Sequence, residues 1–105
     1  MPAEITVNDL AAALEDGAWV LDVREVEEFE AGHVPNALHI PLATIPENTH
    51  LIVEHETLYV ICKAGGRSMK AAMYLEAEGY TVVSVAGGTD EWAASGRDLS
   101  FDPSI

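Results

Sequence analysis

Leu58-Tyr59-Val60-Ile61-Cys62-Lys63-Ala64-Gly65-Gly66-Arg67-Ser68 is the stretch that decides the fold. Four apolar, mostly β-favouring residues run into the only cysteine of the chain, and a lysine, two glycines and an arginine follow. From Ser68 to Glu78 the pattern reads as a helix closed by Gly79. A strand that turns through a glycine-rich loop into a helix leaves backbone N–H groups facing the loop. Such a turn is an anion site. A cysteine at its lip is expected to have a lowered pKa and to react as thiolate.

Charge supports the same reading. The 105 residues carry 18 Asp and Glu against five Lys and Arg, a formal net charge of −13, yet Lys63, Arg67 and Lys70 all fall in or just after this loop. A buried structural cysteine at a strand end is the plainer alternative, but such a residue has no need of a cationic glycine loop behind it.

Working outward, Val82-Val83-Ser84-Val85 is a second β-branched strand, and Ala86-Gly87-Gly88 ends it. Thr89 is placed to cap a last helix through Trp92 to Ala94, stopped by Gly96. On the central helix Ala71, Ala72, Leu75 and Gly79 are expected on one face, small enough to lie close on a sheet. Upstream, Trp19-Val20-Leu21-Asp22-Val23 is a near-continuous apolar run, as in strands buried on both faces of a parallel sheet. Asp22 and Arg24 sit at its carboxyl end, where sites gather in open α/β sheets. A pair that fixes a loop is preferred for them over a direct catalytic role.

Thr6 with Asp9 marks the start of a first helix, on which Leu10, Ala13 and Leu14 recur before Gly17. Glu25 to Glu30 is a short acidic turn of helix around Val26 and Phe29, with Glu25, Glu27, Glu28 and Glu30 expected to form a solvated face. Leu38-His39-Ile40 is a brief strand stopped by Pro41, and Leu42 to Glu56 is expected to be a short helix and loop. Alternating strands and helices imply a parallel sheet with helices on both faces, in one domain spanning residues 1–105 with an irregular tail from Arg97.

Composition narrows the function. Strong acidity argues against nucleic acid and against anionic membranes as partners. A hydrophobic content of 49% argues against disorder. One cysteine makes no internal disulfide, and there is no CxxC pair. The beginning, Met1-Pro2-Ala3-Glu4, lacks the basic and apolar regions of a signal peptide, and no apolar run approaches a membrane span, so a cytoplasmic, reducing location is expected. His33, His39, His50 and His55 share no zinc-ligand spacing.

With these stretches in view, the chain resembles a single-domain rhodanese. Leu21-Asp22-Val23-Arg24-Glu25 with Phe29, then Gly32-His33-Val34-Pro35-Asn36-Ala37 and Ile40-Pro41, is similar to that family's N-terminal signature. Cys62 to Ser68 resembles its active-site loop. Gly79-Tyr80, then Gly87-Gly88 with Trp92 four residues on, resembles its C-terminal signature. The matches keep their order from about Thr6 to Trp92.

The resemblance implies an α/β fold with a central parallel sheet of about five strands and transfer of sulfane sulfur, with Cys62 as nucleophile and persulfide carrier. Its expected partners are a small anionic donor such as thiosulfate and a thiol or cyanide acceptor, or a protein acceptor. No metal or organic cofactor is implied, because the sulfur travels on Cys62. Chemistry then assigns Lys63, Ala64, Gly65, Gly66, Arg67 and Ser68 to the substrate: their N–H groups meet developing charge, and Lys63 or Arg67 holds the departing sulfite. Arg67 has a second reading, pairing with an acid near Asp22 to shape the loop. His33 reads as a loop-fixing side chain, and Trp92 as packing near the site. Cysteine phosphatases of related fold place five residues between Cys and Arg. Here there are four, a smaller cradle that suits sulfur better than a phosphoryl group. Beside the enzyme stand a sulfur-relay module and a redox sensor, the last lacking a resolving cysteine.

Overall fold

The computed structural model describes residues 1–53 and 56–103. His55 and the end of the expected tail therefore lie outside the described residues. Five parallel strands form one sheet, in the spatial order β1-β5-β4-β2-β3: β1 (Ala3–Ile5), β2 (Trp19–Asp22), β3 (Leu38–His39), β4 (Leu58–Ile61) and β5 (Val82–Val85). Four of these follow from β-branched or apolar runs. The short edge strand β1 does not: Ala3-Glu4-Ile5 has one β-favouring residue, and it becomes a strand by pairing with Val83, Ser84 and Val85.

Side chains alternate across the sheet with period two. From β4, Leu58, Val60 and Cys62 enter one core layer, together with Leu21, Val23 and Val82. Ile61 enters the other, with Val20 and Val85. The first layer is covered by α4 (Gly66–Ala77) and by the segment holding α3 (Ile45–Asn48), which is flanked by 3-10 turns at Leu42–Thr44 and Thr49–Leu51. The second is covered by α1 (Val7–Glu15) and α5 (Gly88–Ala94). Thr6 caps α1 as its sequence predicts, accepting from the Asp9 N–H at 3.2 Å. The short α2 (Val26–Glu30) follows β2 and buries Phe29.

Three expectations are corrected. Helix α4 begins at Gly66, two residues early, because Gly65 adopts the left-handed conformation (φ +118°) and turns the chain directly into the helix. Ala71, Ala72 and Leu75 are its packed face, each fully buried, but Gly79 is exposed beyond the helix end. Thr89 lies inside α5 and does not cap it; Gly87, also left-handed (φ +80°), precedes the helix.

Because all strands run the same way, the segments after β2, β4 and β5 emerge at one edge of the sheet. This parallelism brings Asp22 and Arg24, the Cys62 loop and Gly87-Gly88 together. No helix among the described residues is long and apolar enough to cross a membrane.

Candidate active site

Cys62 follows the last residue of β4 and is 1% exposed. Its Sγ receives the Gly65 N–H at 3.0 Å and lies 3.5 Å from Ser68 Oγ. The N–H groups of Ala64 and Ser68 also face it. Burial pushes the Cys62 thiol up. The Ser68 hydroxyl and the N–H groups of Ser68, Gly65 and Ala64 pull it down by more, and the net shift is below the ordinary thiol value. The loop is thus an anion cradle made of backbone, with the glycine at its crest.

A second glycine pair holds the cradle from behind. Thr89 N–H donates to Cys62 O at 2.8 Å, and Asp90 N–H donates to Lys63 O at 3.0 Å. Thr89 Oγ1 donates to Cys62 O as well, at 3.0 Å. The start of α5 therefore satisfies the carbonyls of the two residues that lead into the loop. Only a glycine permits this approach: a Cβ on Gly88 would fall 2.5 Å from both carbonyl oxygens.

The charged residues divide into structural and exposed. Arg67, in the first turn of α4, makes a two-pronged ion pair with Glu28 of α2, at 2.7 and 2.8 Å. Of its two expected roles, the geometry displays the loop-shaping one, with Glu28 as the acid. Glu28 is six residues beyond Asp22. Glu28 thereby departs from the solvated face expected of the acidic turn, whose Glu25, Glu27 and Glu30 are exposed. Glu25, while exposed, also caps α2 in a reciprocal box with Glu28. The Arg67 side chain holds the Glu28 carboxyl down at about 2, against 4.5 ordinarily, despite the opposing push of burial.

Asp22 and Arg24 form a buried pair, with Arg24 Nη2 2.8 Å from Asp22 Oδ2 and also donating to Gly32 O at 2.9 Å. They tie β2 to the following loop, the role preferred from sequence. Lys63 points to Asp90 (2.8 Å) with both side chains more than half exposed, so the cation stays at the loop mouth. Ala64 and Gly66 are exposed beside it. On the α4 side a mostly apolar hollow of about 500 Å³ adjoins Glu25, Arg67 and Lys70, walled by Leu42, Ala43, Ile45, Pro46 and Tyr74.

His33 fixes its loop: its Nδ1 lies 2.7 Å from Phe29 O, its ring stacks on Phe29 at 3.6 Å, and its backbone exchanges two hydrogen bonds with Ser100. Trp92 is not near the thiol. It packs in the α1–α5 layer, on the face of the sheet opposite Cys62, and donates its indole N–H to Asp98 O at 2.8 Å.

Three residues around the loop escaped the sequence reading: Glu28, Thr89 as a loop support, and Ser84, whose buried Oγ is 2.8 Å from Ser68 Oγ. Ser84 alone left a signal, as a polar residue inside a β-branched strand. The other two contacts join segments remote in sequence, to which composition is blind.

The sequence model described as "Rhodanese-like domain" matches residues 6–95. The chain is 34% identical over 88 residues to "Thiosulfate sulfurtransferase GlpE" of Pseudomonas savastanoi pv. phaseolicola, covering 83% of each. It is 38% identical over 74 residues to "Putative sulfur carrier protein YrkF" of Bacillus subtilis (strain 168), covering 70% of this chain and only 40% of that longer relative. Among solved structures, a rhodanese-like domain protein from Staphylococcus aureus superposes with a TM-score of 0.86 at 36% identity, covering 95% of this chain and 98% of that one. A cysteine cradled by backbone N–H groups after a central parallel strand, in a sequence matched over nearly its whole length, makes this chain a member of the rhodanese-like domain family.

Proposed function

We propose that this protein is a sulfurtransferase that carries sulfane sulfur as a persulfide on Cys62. The observation that carries the reading is the Gly65 N–H at 3.0 Å from Sγ, with Ser68 Oγ beside it. These donors stabilise a thiolate before substrate arrives and need no reorganisation as it reacts. The thiolate attacks the outer sulfur of thiosulfate. The new Cys62–S bond forms as the sulfur–sulfur bond of thiosulfate breaks, and its electron pair leaves with sulfite. The persulfide anion sits about 2 Å beyond Sγ, carrying the reactive atom out from a cysteine that is nearly inaccessible itself. A thiolate or cyanide then takes the outer sulfur and restores the Cys62 thiolate, a double displacement. Gly65 and Ser68 hold the sulfur. Ala64 and Gly66 form the exposed crest past which substrates approach. Lys63 meets the donor's sulfonate end at the mouth, and Arg67, with Asp22 and Arg24 further out, keeps the loop in shape.

A relay reading, in which the acceptor is a protein thiol or carrier, is favoured by one feature. The hollow beside the loop is mostly apolar, and Leu42, Pro46 and Tyr74 give a partner's side chains a surface that thiosulfate has no use for.

Intact mass after brief incubation with thiosulfate tests the core claim. Wild type is expected to gain one sulfur atom, lost again to cyanide or a thiol, and Cys62→Ser to gain none while keeping its fold. Transfer at the wild-type rate by Cys62→Ser would overturn the assignment. Phosphate release from an aryl phosphate at a rate matching sulfur transfer would overturn the substrate class.

A further inference from the structure

We infer that Ser84, on the strand next to β4, is a positioning residue for the Cys62 thiolate: its buried hydroxyl holds the Ser68 hydroxyl in the orientation that stabilises the sulfur anion. The inference rests on Cys62 being the reactive group. It starts from a hydrogen count. Ser84 Oγ is fully buried, and Ser68 Oγ, 2.8 Å away, is its one hydrogen-bond partner among the described residues. A buried hydroxyl whose proton points at nothing is costly, so Ser84 donates and Ser68 accepts. One lone pair of Ser68 is thereby filled permanently.

Ser68 has one further lone pair and one proton. It lies 3.0 Å from Gly65 O and 3.5 Å from Cys62 Sγ. While Cys62 is a thiol, its S–H donates to the free lone pair of Ser68, and the Ser68 proton goes to Gly65 O. When the thiol proton leaves for solvent, the Ser68 O–H rotates from Gly65 O to the sulfur. Gly65 O is not orphaned by this, because it keeps the Met69 N–H at 3.2 Å. Ser84 donates in both states. It prevents Ser68 from turning its proton toward β5, and it polarises the Ser68 O–H toward the sulfur, as a hydrogen bond to an acceptor strengthens that group as a donor.

The charged groups around the loop do not duplicate this. Arg67 is paired to Glu28, Lys63 to Asp90 at the mouth, and Asp22 to Arg24. The remaining donors are backbone N–H groups on the loop itself. Ser84 is also placed by the sheet and not by the loop: its Cα pairs with Val60, two residues before Cys62, so both side chains project to the α4 face.

The test is a thiolate titration by ultraviolet absorbance on the full chain, with Cys62→Ser as the blank. Ser84→Ala removes one oxygen from a buried site. It is expected to raise the thiol pKa by about half a unit, which lowers the thiolate fraction about threefold on the acid side of the titration. Ser84→Thr keeps the hydroxyl on a strand-favouring residue and is expected to titrate like wild type. An unchanged midpoint in Ser84→Ala overturns the inference, as does an equal shift in Ser84→Thr, which would trace the effect to packing. Sulfur loading from thiosulfate is measured in parallel. A shifted Ser84→Ala titration with no loading of wild type would refute the sulfurtransferase reading alone, whereas normal loading with an unchanged titration would refute the role of Ser84 alone.

Discussion

Gly88→Ala is the substitution most tightly constrained by the geometry. The new methyl would lie 2.5 Å from the carbonyl oxygens of Cys62 and Lys63 and 2.7 Å from the Lys63 carbonyl carbon. All three are backbone atoms, so no side chain can swing aside. Gly88 also has φ +57°, where an L-residue costs about 1 kcal/mol. To relieve the overlap the loop and α5 must part by more than half an ångström. This stretches the bonds from Thr89 N–H, Asp90 N–H and Thr89 Oγ1, each worth about 1 kcal/mol. The sum is about 4 kcal/mol, a large share of a typical domain's stability, and it corresponds to a melting point lower by roughly 15 °C. The same movement shifts Cys62 relative to Gly65 and Ser68, and sulfur transfer is expected to fall between about tenfold and a hundredfold. Gly66→Ala is the control, because its Cβ meets nothing within 4 Å and its φ is ordinary. It should melt at or slightly above wild type. The assay is a thermal melt beside steady-state transfer from thiosulfate. A Gly88→Ala protein that melts within two or three degrees of wild type would refute the claim that the start of α5 braces the loop.

Other outcomes follow from the ion pairs. Between the ordinary carboxyl value of 4.5 and about 2, the unfolded chain takes up a proton at Glu28 that the folded chain does not, so stability is present above that window and is lost as pH falls through it. Both side chains are about a third exposed, and solvent screening limits the contribution to about 1 kcal/mol. Melts at neutral pH and near pH 3 should show a smaller acid loss for Glu28→Gln than for wild type, and identical losses would sink the assignment. Asp22→Asn leaves the Arg24 charge buried and uncompensated, and chemical denaturation should report a loss of about 3 to 5 kcal/mol; less than 1 kcal/mol would mean that the pair does not hold this loop. Lys63→Ala breaks only an exposed contact, so stability should stay within about 0.5 kcal/mol. Its KM for thiosulfate should rise with kcat held, and a fall in kcat at constant KM would remove Lys63 from donor binding.

Local chemistry made much of this protein legible from its residues. The apolar run into Cys62 and the glycines at 65 and 66 specify a strand and a tight turn into a helix, because each requirement is met within a dozen residues. Thr6 with Asp9 and the apolar run into Asp22 are legible for the same reason. What pairs across the fold was not. The edge strand at Ala3–Ile5 exists only through its hydrogen bonds to β5. Tertiary structure alone made Glu28 the partner of Arg67, 39 residues away, turned Thr89 from a supposed cap into a brace for the Cys62 carbonyl, sent Trp92 to the far face of the sheet, and set Ser84 behind Ser68. A hydrogen bond or ion pair between remote segments leaves no periodicity and no composition in either, so the sequence by itself marked Cys62 as the candidate reactive group, and the packing of five strands decided what surrounds its sulfur.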